Sequence, residues 1–168
     1  MLTPEQNRLL TETGPGTPGL PLDREYSARQ LGFPVVHEPV TAVQLSRGKA
    51  ESQVLLEIAL LMNDLGRLSA DLMLFYTQEF AFVSLPSEFT TGSSIMPQKR
   101  NPDVFELIRG RTASAHACLV EALGIMAKLP SGYQRDLQLL KAPLFRGIDP
   151  CHQALDIIAA ALPSVAFN

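Results

Sequence analysis

The chain is 168 residues long, which fits one domain that buries about 70% of its unfolded surface. Hydrophobic residues make up 46% of it, charged residues 18%, and the formal net charge is −3. These values are typical of a globular protein. The sequence has no basic block and no tryptophan, which argues against a nucleic-acid partner, and no apolar run approaches the ~18 residues of a membrane span.

The cysteines and histidines give little support for a metal or redox centre. Cys118 and Cys151 lie far apart in apolar helical sequence, so we predict two buried, reduced thiols and a cytoplasmic protein. The start of the chain lacks the charged-then-apolar order of a secretion signal. His37, His116 and His152 have no second histidine or cysteine at metal-ligand spacing, so we expect no metal and no cofactor.

Residues 1–45 are predicted to form a loop-rich arm ahead of a partial helical bundle domain at residues 46–168. Six prolines and four glycines fall within the first 40 residues, and both residue types interrupt regular structure. One short helix is predicted at residues 23–31, where the Asp23 carboxylate can cap the first turn.

A long helix is predicted at residues 50–79, a stretch without proline. Its apolar residues recur at alternating spacings of four and three, the seam pattern of a helix that packs on other helices. The seam consists of Val54, Ile58, Leu61, Leu65, Leu68, Leu72 and Phe75. Thirty residues make a helix of ~45 Å, so we expect these surfaces to drive self-association.

Two further helical regions follow a loop at residues 80–98. Asn101 is predicted to cap a helix that has Pro102 at its first position and ends near Lys128. A third helical region covers residues 137–162, with a break or kink predicted at Asp149-Pro150. No strand-period alternation is present. The predicted fold is therefore all-α, part of a bundle of about three long helices behind a proline- and glycine-rich arm.

Residues 92–103, GSSIMPQKRNPD, combine a glycine, two hydroxyls, a lysine and an asparagine in one loop that opens a helix. Such a loop can present backbone N–H groups, hydroxyls, an amide and a fixed positive charge to one anion. The glycine hinge followed by a capped helix also has a purely structural interpretation, in which the serines satisfy the N–H groups of the turn.

The same twelve residues resemble the signature loop of the fumarase/aspartase/argininosuccinate lyase superfamily. Gln98 and Asp103 match the argininosuccinate lyase form better than the fumarase, aspartase or adenylosuccinate lyase forms. The resemblance runs from Gly14 to about Leu162. It implies a five-helix central bundle through which four subunits join, with this chain as a middle slice that lacks the family's threonine-histidine segment.

The resemblance also implies roles for individual residues of the loop in an elimination that releases fumarate. Ser93 resembles the catalytic base, and it needs a nearby positive charge because a serine alkoxide must be stabilised. Lys99 could supply that charge, Asn101 could donate an amide N–H to a carboxylate, and Ser94 could contact substrate. Arg100 is expected to point elsewhere, because successive side chains on an extended turn diverge.

Other candidate residues lie outside the loop. Glu106 resembles the glutamate that orients the family's acidic histidine, although a first-turn glutamate is also favoured by the helix dipole. Arg47 lies near a family Asp-Arg-Asp motif but out of register, so a solvated face is the simpler interpretation. Residues 133–141 resemble the family's substrate-binding segment, with Tyr133, Asp136, Gln138 and Lys141 at the matching positions. Two adjacent family acids are replaced here by Leu140 and Ala142.

Three functional hypotheses remain open on the sequence. The chain could supply the loop of an argininosuccinate lyase-like enzyme, with an argininosuccinate-like or dicarboxylate substrate and the histidine provided by a complementary chain. It could be a non-catalytic scaffold member of the superfamily, as the family's lens-crystallin relatives are. It could belong to a lyase for a different succinyl or amino-acid substrate. We expect a homo-oligomer, a tetramer by resemblance, and no nucleic-acid or membrane partner.

Overall fold

The computed structural model describes residues 23–36 and 40–168. Its first helix, α1, spans Arg24–Leu31, and the Asp23 carboxylate accepts a hydrogen bond of 2.8 Å from the Tyr26 N–H. The predicted short helix and its cap are therefore confirmed. Most of the predicted arm, and His37 with it, lies outside the described residues.

Two helices follow, α2 at Val40–Ser46 and the long α3 at Lys49–Phe75. Gly48 separates α3 from α2 and adopts a φ of +87°, a conformation that costs glycine little because it has no Cβ. The predicted boundary between arm and bundle, after residue 45, falls one residue before the end of α2 and stays a prediction.

The buried face of α3 differs from the predicted seam. Leu65 and Leu72 are buried as expected, but Val54 is 46% exposed and Leu61 38%. The residues that pack inward are Ser52, Leu55, Ala59, Met62, Leu65, Gly66, Ser69 and Leu72. Small residues in this set let α4 approach closely, since a Cβ on Gly66 would lie 2.8 Å from the Thr112 methyl carbon. Of the other seam residues, Ile58 and Leu68 are partly buried against the larger core cluster and Phe75 is half-buried. Val54 and Leu61 face outward.

The helix after the signature loop, α4, spans Asp103–Met126. Its N-cap residue is Pro102 and no side chain caps it, so the predicted capping role of Asn101 is wrong. The Asn101 backbone is held instead in an antiparallel bridge with Thr91, which fixes it one residue before the cap position. The helix ends at Met126, slightly before the predicted end, because the Ala127 backbone is extended, with a ψ of 136°.

The last helix, α5, spans Lys141–Ala161 and follows a 3₁₀ segment at Arg135–Leu140. Pro150 lies inside α5 without ending it, so the predicted break at Asp149-Pro150 is absent. A proline inside a helix costs roughly 3 kcal/mol through one lost hydrogen bond and a steric clash. Burial of Gly147, Cys151 and Ala154 around the proline offsets that cost and keeps the helix continuous.

Two short strands, which the sequence did not indicate, join the segment after α3 to the last residues of the chain. Strand β1 at Val83–Ser84 pairs antiparallel with β2 at Ala166–Phe167. The three long helices pack around two hydrophobic clusters, a larger one near Phe105 and Met62 and a smaller one near Leu55. The described part of the chain is thus a helical bundle, as the sequence predicted, and none of its helices combines the length and apolarity of a membrane span.

Candidate active site

The signature loop projects from a narrow backbone neck. Thr91 and Asn101 exchange two hydrogen bonds of 3.0 and 2.8 Å, so the loop between them begins and ends at the same place. A tight turn from Met96 to Lys99, with Pro97 second in the turn, is closed by a 3.0 Å backbone bond. The loop tip is open to solvent, with Ile95 88% exposed. The neck fixes where the loop starts, and the tip is held by little else.

A cleft of about 700 Å³ lies at the base of this loop. It contains two of the predicted catalytic residues, Lys99 on the loop and Glu106 on the first turn of α4. Arg100 also lines the cleft, and the predicted direction of its side chain stays a prediction.

Ser93 and Ser94 lie on the loop but do not line the cleft. Ser93 is half-buried, and its Oγ accepts a hydrogen bond of 3.3 Å from the Ile95 N–H. That bond orients the hydroxyl within its own turn, as the structural interpretation of the loop requires. Ser94 is exposed, while Asn101 is half-buried at the neck. The roles predicted for Ser93, Ser94 and Asn101 require these side chains to contact a ligand bound at the loop.

Several residues of the cleft were not among the predicted site residues. They come from the end of α3, from β1 and from the end of the chain, and are Tyr76, Thr77, Gln78, Ser84 and Asn168. The Asn168 Nδ2 donates a hydrogen bond of 2.7 Å to the Ala81 carbonyl, whose residue adopts a left-handed φ of +47°. Their position at the cleft depends on how the helices pack.

The predicted substrate segment lies elsewhere, beyond the C-terminal end of α4. Gln138 Nε2 donates a long hydrogen bond of 3.5 Å to the Tyr133 hydroxyl, and the Arg47 guanidinium lies 5.7 Å from the centre of the Tyr133 ring. Arg47 is therefore paired with an aromatic face, not simply solvated. Lys141 is the exposed first residue of α5.

One helix length separates these two groups of candidate residues. Helix α4 has 24 residues, which corresponds to ~36 Å. We call the region around the signature loop and its cleft the loop end, and the region around Arg47, Tyr133 and Gln138 the far end. The structure brings Lys99 and Glu106 together at the loop end but does not bring them near Tyr133, Gln138 or Lys141.

Burial raises the pKa of the Cys151 thiol, which lies on α5 inside the larger core cluster. Cys118 is likewise a buried free thiol. Within residues 23–36 and 40–168, no group of three or more histidine, cysteine, aspartate or glutamate side chains is placed to hold a metal ion.

Comparison with known proteins identifies the class to which this fold and loop belong. The family model described as "Lyase" matches residues 5–116, and curated relatives are close to half identical. The chain therefore belongs to this lyase family, within the fumarase/aspartase superfamily.

Curated relatives of this chain include argininosuccinate lyases. The protein from Sorangium cellulosum is 48% identical over 149 residues, which cover 89% of this chain and 34% of the relative. The protein from Stenotrophomonas maltophilia is 45% identical over 164 residues, which cover 98% of this chain and 38% of the relative. The chain thus spans little more than a third of the length of these relatives.

Solved structures share the fold. EDDS lyase in complex with formate matches with a TM-score of 0.78 and 24% identity, over 95% of this chain and 31% of that chain. An EDDS lyase variant with bound fumarate matches with a TM-score of 0.77 and 22% identity. The arrangement of helices is therefore that of the lyase superfamily.

Proposed function

We propose that this chain supplies the signature loop of an argininosuccinate lyase-like enzyme, which eliminates fumarate from an N-succinyl amino acid in arginine biosynthesis. The observation that carries the proposal is the joint presence of Lys99 and Glu106 in one cleft at the base of the loop. The identity of nearly half the residues to named argininosuccinate lyases supports the choice of substrate class.

In this proposal Ser93 removes a proton from the carbon beside a succinyl carboxylate. The electron pair of that C–H bond forms the double bond of fumarate as the C–N bond breaks, and the leaving nitrogen takes up a proton. Lys99 stabilises the negative charge that develops on the carboxylate, and the Asn101 amide donates a hydrogen bond to it. Ser94 contacts the same substrate half.

In this proposal, the proton for the leaving nitrogen comes from a histidine on another polypeptide segment. The three histidines of the chain do not stand in the context of the family's acidic histidine. Glu106 would orient such a histidine from another polypeptide segment once it docks at the cleft. Tyr133, Gln138 and Lys141 would bind the amino-acid half of a substrate held by the loop end of a second copy, since ~36 Å separates the two ends within one chain.

Exposed apolar side chains support the self-association that this arrangement needs. On α3 the outward face carries Val54, Leu60 and Leu61, and on α4 it carries Val120 and Leu123, all at least 38% exposed. Large apolar patches of this kind mark interfaces in folded proteins. We propose a homo-oligomer, a tetramer by resemblance, in the cytoplasm.

Two alternative functions can be distinguished from this proposal. Leu140 is 3% exposed and packs in the smaller core cluster, and this replacement of a family acid favours a lyase for a different succinyl or amino-acid substrate. A non-catalytic scaffold member would keep the apolar faces and the loop without turnover.

The test is fumarate release from argininosuccinate, followed by ultraviolet absorbance. The purified chain alone should show no appreciable rate, because loss of one acid–base member costs ~10²–10⁴-fold. Mixed with a segment that carries the threonine-histidine sequence, it should turn over, and Lys99→Met should abolish that rate while the exposed control Arg67→Met should not. Fumarate binding without turnover in the mixture would support the scaffold alternative, and the absence of both would overturn the lyase proposal.

A further inference from the structure

The turn that follows α3 forms one wall of the loop-end cleft. We call residues 76–81 the α3 turn. Thr77, Gln78 and Ala81 line the cleft from this turn, while Lys99 lines it from the signature loop. The shape of the cleft therefore depends on the path of the α3 turn as well as on the loop.

The α3 turn contains a strained residue. Ala81 has a φ of +47°, and among the residues that the structure describes Lys128 is the only other non-glycine residue with a positive φ. A side chain with a Cβ is crowded in this left-handed conformation, which persists only where neighbouring groups hold it. The Ala81 N–H donates a hydrogen bond of 2.7 Å to the Thr77 carbonyl, and the Phe82 N–H donates one of 2.9 Å to the Phe75 carbonyl. These bonds hold the N–H groups on both sides of the strained peptide.

Asn168, the residue after β2, holds the carbonyl groups of the same two residues. Its Nδ2 donates a hydrogen bond of 2.7 Å to the Ala81 carbonyl, and its backbone N–H donates one of 3.1 Å to the Phe82 carbonyl. Its Oδ1 accepts a long bond of 3.4 Å from the Ser84 hydroxyl. Asparagine suits this position because its amide both donates and accepts. A residue 87 positions away in the sequence thus fixes the strained turn.

The α3 turn offers an amide to the cleft. The Thr77 hydroxyl donates its hydrogen to the Leu74 carbonyl over 2.7 Å. The Gln78 side chain is instead exposed where it lines the cleft that also contains Lys99. A glutamine amide can donate an N–H to a carboxylate, as the lysine ammonium can. Correct placement of such groups matters, because small errors in position weaken both binding and catalysis.

From these contacts we propose that Asn168 is a positioning residue of the loop-end cleft. It holds Ala81 in the left-handed conformation, and the turn held in this way places the Gln78 amide in contact with a dicarboxylate bound at Lys99. The inference rests on the proposed function, which supplies the dicarboxylate. Asn168 acts through the α3 turn and takes no part in the proton transfers.

The first measurement is NMR of the ligand-free full chain. Asn168→Ala should move the Ala81 Cα and Cβ chemical shifts, which report φ, away from left-handed values, and should shift the Gln78 side-chain amide. Asn63→Ala is the matched control, because it removes the same side chain from a position on α3 that does not line the cleft. It should leave both signals unchanged. Unmoved Ala81 and Gln78 signals in Asn168→Ala would overturn the proposal.

The second measurement is fumarate affinity in the mixture with the threonine-histidine segment, by isothermal titration calorimetry. Asn168→Ala should weaken binding roughly three- to tenfold, the value of one neutral hydrogen bond. Adding Ala81→Gly to Asn168→Ala should recover most of this loss, because glycine adopts a left-handed φ without crowding. General destabilisation would not be recovered, since glycine raises the entropy of the unfolded chain. A double variant that binds no better than Asn168→Ala would contradict the proposal.

The positioning role and the lyase proposal fail in different ways. Turnover with fumarate binding that Asn168→Ala leaves unchanged would keep the lyase proposal and overturn the positioning role. A mixture that neither turns over nor binds fumarate would overturn the lyase proposal, and with it the contact between Gln78 and a carboxylate. In that case the NMR shifts still decide whether Asn168 holds the α3 turn.

Discussion

The two ends of α4 hold their backbones in different ways. At the loop end, a Cβ added to Gly92 would meet only the Lys99 carbonyl oxygen at 3.8 Å, an ordinary contact. At the far end, a Cβ added to Gly48 would overlap Met126 at 2.1 Å. The loop is fixed at its Thr91–Asn101 neck and open at its tip, whereas the far end is packed into the core. An open loop can adapt to a ligand, and a packed link presents charges in a fixed position.

The largest expected effect belongs to the loop end. In the mixture that turns over, Ser93→Ala should lower kcat by ~10²–10⁴-fold, since it removes the proposed base. Ser94→Ala is the matched control, because its side chain is the next hydroxyl along and is exposed, and we expect a loss below about tenfold. Steady-state rates of fumarate release measure both. Equal losses for the two serines would show that neither acts as the base.

A second test compares the two glycines directly. Gly48→Ala should lower the free energy of unfolding by about 2–4 kcal/mol, because it combines a left-handed φ with overpacking against Met126 and Leu140. Gly92→Ala should change it by less than about 0.5 kcal/mol. Urea unfolding monitored by circular dichroism gives both values. A tolerated alanine at Gly48 would mean that the far end is as adaptable as the loop.

The two ends should also differ in which kinetic constant they change. Gln138→Leu removes the amide that bonds to Tyr133, and we expect KM to rise about tenfold, the value of one substrate hydrogen bond. The value of kcat should change little, because the far end does not contain the reacting atoms in the proposed mechanism. Glu106→Gln at the loop end should instead lower kcat. A purely kcat effect of Gln138→Leu would place this side chain at the reacting centre.

The smallest expected effect lies between the two ends, in the core. Burial raises the pKa of Cys151 above its ordinary value of 9.0, so folding favours the protonated thiol. Its contribution to stability is present at pH values below the unfolded pKa and is lost as pH rises through the raised folded pKa. Cys151→Ala should flatten the fall in unfolding free energy above pH 9.0 by less than about 1 kcal/mol. The unsubstituted chain is the comparison, and an unchanged pH profile for Cys151→Ala would contradict the expectation.

Much of the fold followed from local sequence patterns. The helix at Arg24–Leu31 and its Asp23 cap follow from capping chemistry, and the extents of α3 and α4 follow from apolar periodicity that glycine and proline interrupt. The buried face of α3 did not follow, because its apolar residues surround more than half of the helix. Which of them pack inward depends on where α4 places small side chains such as Thr112.

The signature loop was identified from the sequence alone, because twelve consecutive residues carry the family pattern. The resemblance also gave the candidate residues at both ends of α4. Periodicity could not show that one helix length separates them, nor that Arg100 joins Lys99 in the cleft. Those facts depend on the turn at Met96–Lys99 and on the uninterrupted length of α4.

The sequence by itself determined the all-α class and the family, because these depend on patterns of residues close together in the chain. Tertiary structure decided that α5 continues through Pro150, that β1 pairs with β2, and that Asn101 forms a bridge instead of a cap. In each case a local conformational preference of at most a few kcal/mol is opposed by packing between segments that are distant in sequence. The packing energy exists only in the folded chain, so the sequence pattern alone does not show which of the two is larger.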